Sequence, residues 1–558
     1  MRTNRVMCYV VALGLAAFFA VFLLGPIYAV AAGGLDWRLI CEVFRNPVYV
    51  NGLVNALAVA LVTTLLSFAI ALPLALVYDR FDFPGKWLSN AAVLAPMILP
   101  PFVGALGFQQ LLGHYGVFNT MLAGLGLGRV DFLGGEGRFF SVCAVEALHL
   151  YPIVYLNLIT ALANVDPALT EAARNLGISK LRRFFGITLP LVKPGVFAGG
   201  SIVLVWSFTE LGTPLMFNYA CVTPVQVYNG ITGLERNPLP MALVMVMLGA
   251  SVTLYLVGRL LLGRSHAGTG AKGATGQGAG YRLASWRRFL PGALFAAVTM
   301  LALLPHISLL LLAFSRDWYN AALPSSFTLM NFDNALRDPL VLPSIVNSLK
   351  YSLSAMVIAV AAGTLSSLAV VRWKIRGGWL LDALAMLPLA VPGIVMAFGF
   401  LVLAYSNSFT RAVFDVENNP LLLLAVAYAV RRLPYVVRAV SSGLEQTPEE
   451  LENAGRNLGA GAFTVLRRIT LPLVAANIIV GALFAFSFSM LEVSDSLILA
   501  QKTVFYPVTK AIYALSSTLG SGPSMAGAFG VWAMLFLAAA LGLAASILGK
   551  KIGAIFRF

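Results

Sequence analysis

Ionisable side chains inside apolar segments are costly, so each marks a candidate site. Glu210 lies in VWSFTELGTPL. Glu492 aligns with it at an offset of 282, in AFSFSMLEVSDSL, where Asp495 adds a third acid. Glu146 and His149 sit in AVEALHLYP, and Arg431 and Arg432 in YAVRRLPYVVR, with Arg431 aligned to His149 at the same offset. Carboxylates repeated on one period suit a cationic or metal cargo. Guanidiniums among them would bind an anion or neutralise Glu210, Glu492 or Glu146. The structural alternative is that each acid is protonated or hydrogen-bonded to a neighbouring helix, and that the arginines form ion pairs holding helices together. Acids and arginines together leave the sign of the cargo open. Gly212 and Pro214, beside Glu210, interrupt a helix and free backbone groups toward a cavity.

The elements that must position these residues are membrane spans. The 558-residue chain is 59% hydrophobic and 11% charged, with a mean hydropathy of +0.85, whereas soluble domains carry roughly 25% charged residues. Apolar runs of about 20 residues read as spanning helices. Twelve are expected, near 7–31, 52–78, 87–112, 139–163, 195–220, 239–262, 289–315, 344–371, 379–404, 419–443, 475–500 and 525–549. The runs are long and Leu/Ala-rich and lack the alternation of a barrel. The fold class is therefore all-α and polytopic.

A net charge of +15 invites a nucleic-acid reading, but the distribution of the charge opposes it. With the N-terminus in the cytoplasm, 24 Lys and Arg fall on cytoplasmic segments, 11 on outer ones, and three (Arg431, Arg432, Arg438) at the tenth span. That is the positive-inside bias, and it puts both termini in the cytoplasm. The first run reads as an uncleaved anchor, not a signal peptide. Cys8, Cys41, Cys143 and Cys221 show no metal spacing, although Cys41 and Cys221 fall on the outer side, where a disulfide could form. His114, His149, His266 and His306 are equally dispersed, which argues against a built metal site.

The chain is two halves. Residues 263–288 include a Gly-rich flexible linker, with six spans on each side. Asn55 matches Asn347 at an offset of 292, as do Arg80 with Arg372, Pro96 with Pro388 and Pro100 with Pro392. Farther on the offset is 282: Pro152 matches Pro434, and ten of nineteen positions are identical between Arg174–Val192 and Arg456–Val474. Six spans is an even number, so the halves, 1–262 and 289–558, are expected to insert the same way up as parallel repeats about a pseudo-twofold axis along the membrane normal.

The best-preserved repeat is a pair of cytoplasmic loops, 164–194 and 444–474. In the first, Asp166-Pro167 opens a helix as cap and first turn, EAARNL continues it, and Gly177 ends it. A basic amphipathic segment follows, and Leu189-Pro190 leads into the next span. Gly459 and Leu471-Pro472 do the same in the second. An interfacial amphipathic loop is the plain reading. Its duplication at matched topology points to a docking element for a paired cytoplasmic partner.

EAARNLGISKLRRFFGITLPL resembles the EAA loop of permease subunits in binding-protein-dependent ABC importers. Glu171, Ala172, Ala173, Gly177, Ile187, Leu189 and Pro190 match that motif, and Ala454, Gly459, Ile469, Leu471 and Pro472 match it in the second copy. The second copy departs at Asn453, where the family has Glu, and at Gly455, while Glu452 stands one residue out of register. The resemblance covers about 50–260 and 345–550. It implies that each loop carries a coupling helix seated on an ATPase subunit, that two ATPase copies hold the ATP and Mg, and that an outer-side binding protein delivers the substrate. The chain itself has no G-x-x-x-x-G-K-[ST] phosphate loop, so no catalytic residue or cofactor of its own is expected. FTELGTP, TPVQVYNGI and RRLPY look closest to the fused, double-length ferric-iron branch; thiamine, polyamine and aminophosphonate importers are the alternatives. A secondary transporter would lack the docking loops, and an intramembrane enzyme would need a catalytic cluster.

Overall fold

The computed structural model describes residues 2–98, 101–231, 237–262 and 281–548. Most of the expected linker (263–280), with His266, and Pro100 of the repeated proline pair lie outside them.

Among the described residues, eight helices are each long and apolar enough to cross a bilayer. Three further helix pairs pass the same test only when taken together, each bent at its break: Lys86–Met97 meets Phe102–Gly124 at 89°, Gly378–Ala390 meets Gly393–Tyr405 at 104°, and Ala462–Leu473, the end of the second loop, meets Ala475–Met490 at 70°. The remaining span, Leu421–Gln446, has the length but carries Arg431, Arg432, Arg438 and Glu445. By length and composition eight to eleven of the twelve expected segments are candidate spans among the described residues, and the third and ninth are not straight. At the ninth, Pro392 has no N–H to continue the helix, and it pushes Val391 into an extended conformation (φ −88, ψ 128).

The fifth and eleventh spans, expected as 195–220 and 475–500, are also interrupted. Leu189–Phe208 stops, and a short helix, Gly212–Met216, begins after Glu210. Ala475–Met490 stops, and Ser494–Leu499 begins after Glu492. Both glutamates therefore occupy breaks, not helix interiors. Their backbone N–H groups bond back identically, to Ser207 O and to Ser489 O, each at 3.3 Å.

Contacts divide the described chain into two units. One comprises Pro47–Gln226 and Gly249–Leu329. Its centre is made by the Pro47–Arg80, Gly137–Ala163 and Leu189–Phe208 helices, with Leu74, Tyr151, Tyr155, Leu158 and Val203 in a buried cluster that Phe295 joins. The Leu290–Phe314 helix packs onto Pro101–Leu112 so closely that a Cβ on Gly107 would strike the carbonyl of Pro305.

The other unit comprises Met1–Asn46, Val227–Leu248 and the chain from Met330 onward. Val341–Ser367, Leu421–Gln446 and Ala475–Met490 form its centre. The Gly25–Gly34 helix packs on Gly393–Tyr405, where a Cβ on Gly399 would lie 2.6 Å from the carbonyl oxygen of Pro26. Small residues permit such backbone approach between membrane helices. Gly107 and Gly399 correspond at the offset of 292, so the same contact recurs in both units. In each it is made by the opening span of the other sequence half. A second tie recurs: Asn55 Nδ2 donates to Cys221 O (3.0 Å), and Asn347 Nδ2 donates to Val504 O (2.8 Å).

Candidate coupling loops and buried charge cluster

The two repeated loops fold alike. In the first, Asp166 accepts a hydrogen bond from Ala168 N at 2.9 Å and Pro167 opens the Pro167–Asn175 helix. The helix ends in a Schellman turn, with Gly177 N donating to Arg174 O and Ile178 N to Ala173 O, both at 3.0 Å. In the second, Glu450–Asn457 ends the same way, with Gly459 N donating to Arg456 O and Ala460 N to Gly455 O, again at 3.0 Å. Gly177 and Gly459 adopt φ +72 and +86, the left-handed region open to glycine. Short helices Lys180–Arg183 and Ala462–Val465 follow, each running through a π-turn (Phe184–Thr188, Leu466–Thr470) into Leu189 and Leu471.

The motif positions present matched surfaces. Glu171 and Ala172 are exposed, as are Asn453 and Ala454, while Ala173 is buried. Leu189 and Leu471 are half-buried, and Pro190 and Pro472 are exposed. The tips are apolar and bare: Leu176 is 80% exposed and Leu458 89%. Leu169, Leu181 and Phe185 in the first loop, and Leu451 and Phe463 in the second, add to two apolar patches of the kind that mark interaction sites.

The departures in the second copy have structural reasons. A Cβ at Gly455 would collide with the Ile469 side chain, so the helix lies closer to the returning segment of chain. Asn453 Oδ1 accepts from Arg456 Nη1 at 2.9 Å. Glu452, out of register for docking, is buried instead. Its Oε1 pairs with Arg372 Nε at 3.0 Å and its Oε2 with Arg456 Nη2 at 3.3 Å. Arg372 also donates to Thr447 O at 2.7 Å, and Lys374 pairs with Glu449 at 2.9 Å. Lys374 holds the Glu449 carboxyl below its ordinary range, chiefly by that hydrogen bond. The second loop is thereby ion-paired to the end of the eighth span. Its counterpart Arg80 is exposed.

The membrane charges form a cluster in each unit. In the unit holding the second loop, Arg431 Nη1 lies 3.0 Å from Glu492 Oε1 and 3.8 Å from Asp495 Oδ1. Arg432 pairs with Glu492 Oε2 and donates to Phe488 O at 3.2 Å. Among the described residues, no hydrogen bond reaches either Asp495 oxygen, although the residue is 1% exposed. The break around Glu492 is held by groups that sequence reasoning missed. Ser496 Oγ and Thr509 Oγ1 both donate to Glu492 O, at 2.5 and 2.6 Å, and Tyr428 OH meets Ser496 Oγ at 2.6 Å. Lys510 Nζ, buried, donates to Leu497 O at 2.7 Å. Gly393, at the ninth-span bend, lies against Arg431, because a Cβ there would overlap the guanidinium. A lysine inside the apolar stretch YPVTKAIYAL was the available signal for Lys510; for Gly393 it was the adjacent Pro392.

In the other unit, Glu146 takes the Tyr428 position. It accepts from Ser207 Oγ and from Thr63 Oγ1 (3.5 Å) and is 2% exposed. Glu210 Oε1 accepts from Gly212 N at 3.1 Å, capping the short helix after the break. His149, at the Arg431 position, hydrogen-bonds Pro96 O at 2.9 Å. The His149 and Arg431 positions therefore both touch the bent span beside them. Ion pairs join the charges of one half, and hydrogen bonds hold Glu146, Glu210 and His149 in the other. All four cysteines are free, and no group of three metal-capable side chains occurs among the described residues.

Residues 55–267 and 355–553 each match the family described as the binding-protein-dependent transport system inner membrane component. The chain belongs to this family. It carries the family domain twice, as a fused two-half ABC permease. A Haemophilus influenzae permease named for ferric transport, FbpB 1, is 26% identical over 471 residues, covering 82% of this chain and 70% of that one. The ferric transport system permease protein FbpB of Actinobacillus pleuropneumoniae is 25% identical over 474 residues, and the match spans 82% of this chain but just 64% of that protein's length. The ABC transporter permease protein y4fN of Sinorhizobium fredii is 27% identical over 518 residues, 86% of each chain. The permease is thus a multi-pass inner-membrane transport component.

Proposed function

We propose that this permease forms the translocation pathway of an ATP-driven importer and carries ferric iron delivered by a periplasmic binding protein. The observation that carries the coupling part is the duplicated Schellman turn, with Gly177 and Gly459 in the same left-handed conformation and bare Leu176 and Leu458 beside them. Each loop seats one copy of a separate ATPase subunit, which holds the ATP and Mg. The loops and both termini face the cytoplasm. Glu171, Ala172, Ala173, Asn453 and Ala454 lie on the docking helices, and Leu189-Pro190 and Leu471-Pro472 carry their movement into the fifth and eleventh spans. Closure of the ATPase pair then switches the permease between inward-open and outward-open states.

The cargo reading rests on the ferric names of two relatives and on the buried acids. Glu492 and Asp495 attract a cation, and Arg431, 26% exposed, is the counter-ion that yields as one arrives. Glu210, Glu146 and His149 serve the pathway in the first half, and Arg432 holds Glu492 in place. Uptake of radiolabelled ferric iron in iron-starved cells lacking the gene tests this reading. Loss of uptake on deletion, restored by the intact gene, supports it. Unchanged uptake in cells with no second iron route discards iron as the cargo.

A further inference from the structure

On the face that bears the second coupling loop, a cavity of about 470 Å³ opens between the first span, the end of the eighth and the loop itself. That volume falls within the range of small-molecule sites, roughly 300–1,000 Å³. Arg372, Lys374, Arg376 and Arg456 line it, against one lining carboxylate, Glu452. Even with Glu449, which reaches Lys374, four cations face two acids. Glu452 is shared by Arg372 and Arg456, and Arg376 has no ion-pair partner among the described residues. Lys374 is held at φ +46, a left-handed conformation that side-chain-bearing residues rarely adopt. Trp373 lines the cavity and Trp379, close by in sequence, is 75% exposed; such aromatics mark the headgroup level of a membrane.

The repeat supplies an internal contrast. At the offset of 292 that aligns Arg80 with Arg372, Lys374 corresponds to Asp82 and Arg376 to Pro84. Arg372 and Arg456 thus have basic counterparts in Arg80 and Arg174, whereas Lys374 and Arg376 are cations that the second half alone carries at these positions. Basic pockets between membrane helices on the cytoplasmic side recognise anionic headgroups.

We propose that this cavity binds a phosphate-bearing anion, drawn from an anionic phospholipid headgroup or from free phosphate; the proposal rests on the reading that the coupling-loop face is cytoplasmic. Arg376, and one of the two arginines that share Glu452, supply the charge that the loop's own carboxylates leave uncompensated, and Lys374 stands beside them paired with Glu449.

The test is native mass spectrometry of the full-length permease after exchange into mixed phosphatidylglycerol and phosphatidylcholine, and separately into phosphatidylcholine with inorganic phosphate. The intact protein is compared with Arg376→Gln, which breaks no ion pair, and with Lys374→Gln/Arg376→Gln, each checked for an unchanged melting temperature. A roughly tenfold retention of phosphatidylglycerol over phosphatidylcholine, lost in the variants and untouched by phosphate, identifies the lipid as the source. Retention of inorganic phosphate alone, lost in the variants, identifies the free anion. Equal retention by intact protein and variants for both probes overturns the proposal. Binding is measured without an ATPase, so normal transport in loop-glycine variants would sink the coupling reading and leave this result standing.

Discussion

Arg431 Nη1 lies 3.0 Å from Glu492 Oε1, joining the charged tenth span to the break in the eleventh. With Arg432 on the other carboxylate oxygen, Glu492 is clamped by two guanidiniums while 3% exposed. Removing one partner of a buried pair leaves a stranded charge and costs about 3–5 kcal/mol. Glu492→Gln is expected to lower both the thermal midpoint of the purified permease and transport. Glu210→Gln, which alters a local cap, is expected to lower stability less. A melting comparison in detergent checks this; equal losses would show that the two glutamates do the same work.

Gly393 lets Arg431 lie against the ninth-span bend. Gly393→Ala places a methyl group where the guanidinium sits, so the Arg431 guanidinium must shift from its present seat beside Glu492. Uptake is expected to fall at least tenfold while the ATPase still co-purifies with the permease. If uptake stays normal, the Arg431 position does not matter to the pathway.

Arg372 ties the second loop to the eighth span through Glu452 and Thr447 O. Arg372→Ala removes both ties, whereas Arg80→Ala changes an exposed side chain. Transport and ATPase co-purification are expected to fall in the first variant and to remain close to normal in the second. Equal behaviour would mean that the two loops are anchored alike by some other contact.

The parts legible in the sequence are those fixed by local chemistry. Asp166, Pro167, Gly177 and Gly459 dictate caps and a left-handed turn within a few positions, and the structure forms them as expected. The repeat offsets of 282 and 292 also anticipated equivalent positions, such as Asn55 with Asn347. What stayed illegible depends on packing. Hydropathy windows see apolar length but not the 104° bend at Pro392 or the break at Glu492, whereas Gly212 and Pro214 marked the interruption beside Glu210 in advance. The sequence left Arg431 open as anion site or ion pair, because its partner, Glu492, stands on a different span and meets it through tertiary contact alone. The placement of the first span with the second-half helices likewise rests on the close approach of Gly399 to Pro26, which no local signal announces.

The left-handed glycines give the most direct test of coupling through the loops. A Cβ at either position meets nothing within 4 Å, so substitution acts through backbone conformation alone, at about 1–2 kcal/mol per residue for ordinary side chains. Asn tolerates the left-handed region and a β-branched residue does not. The measurement is ferric-iron uptake by cells expressing Gly177→Val/Gly459→Val beside Gly177→Asn/Gly459→Asn, with membrane insertion confirmed for both. Uptake is expected to be abolished in the valine pair and largely retained in the asparagine pair. Normal uptake in the valine pair, with the protein inserted, would contradict the coupling role of these loops.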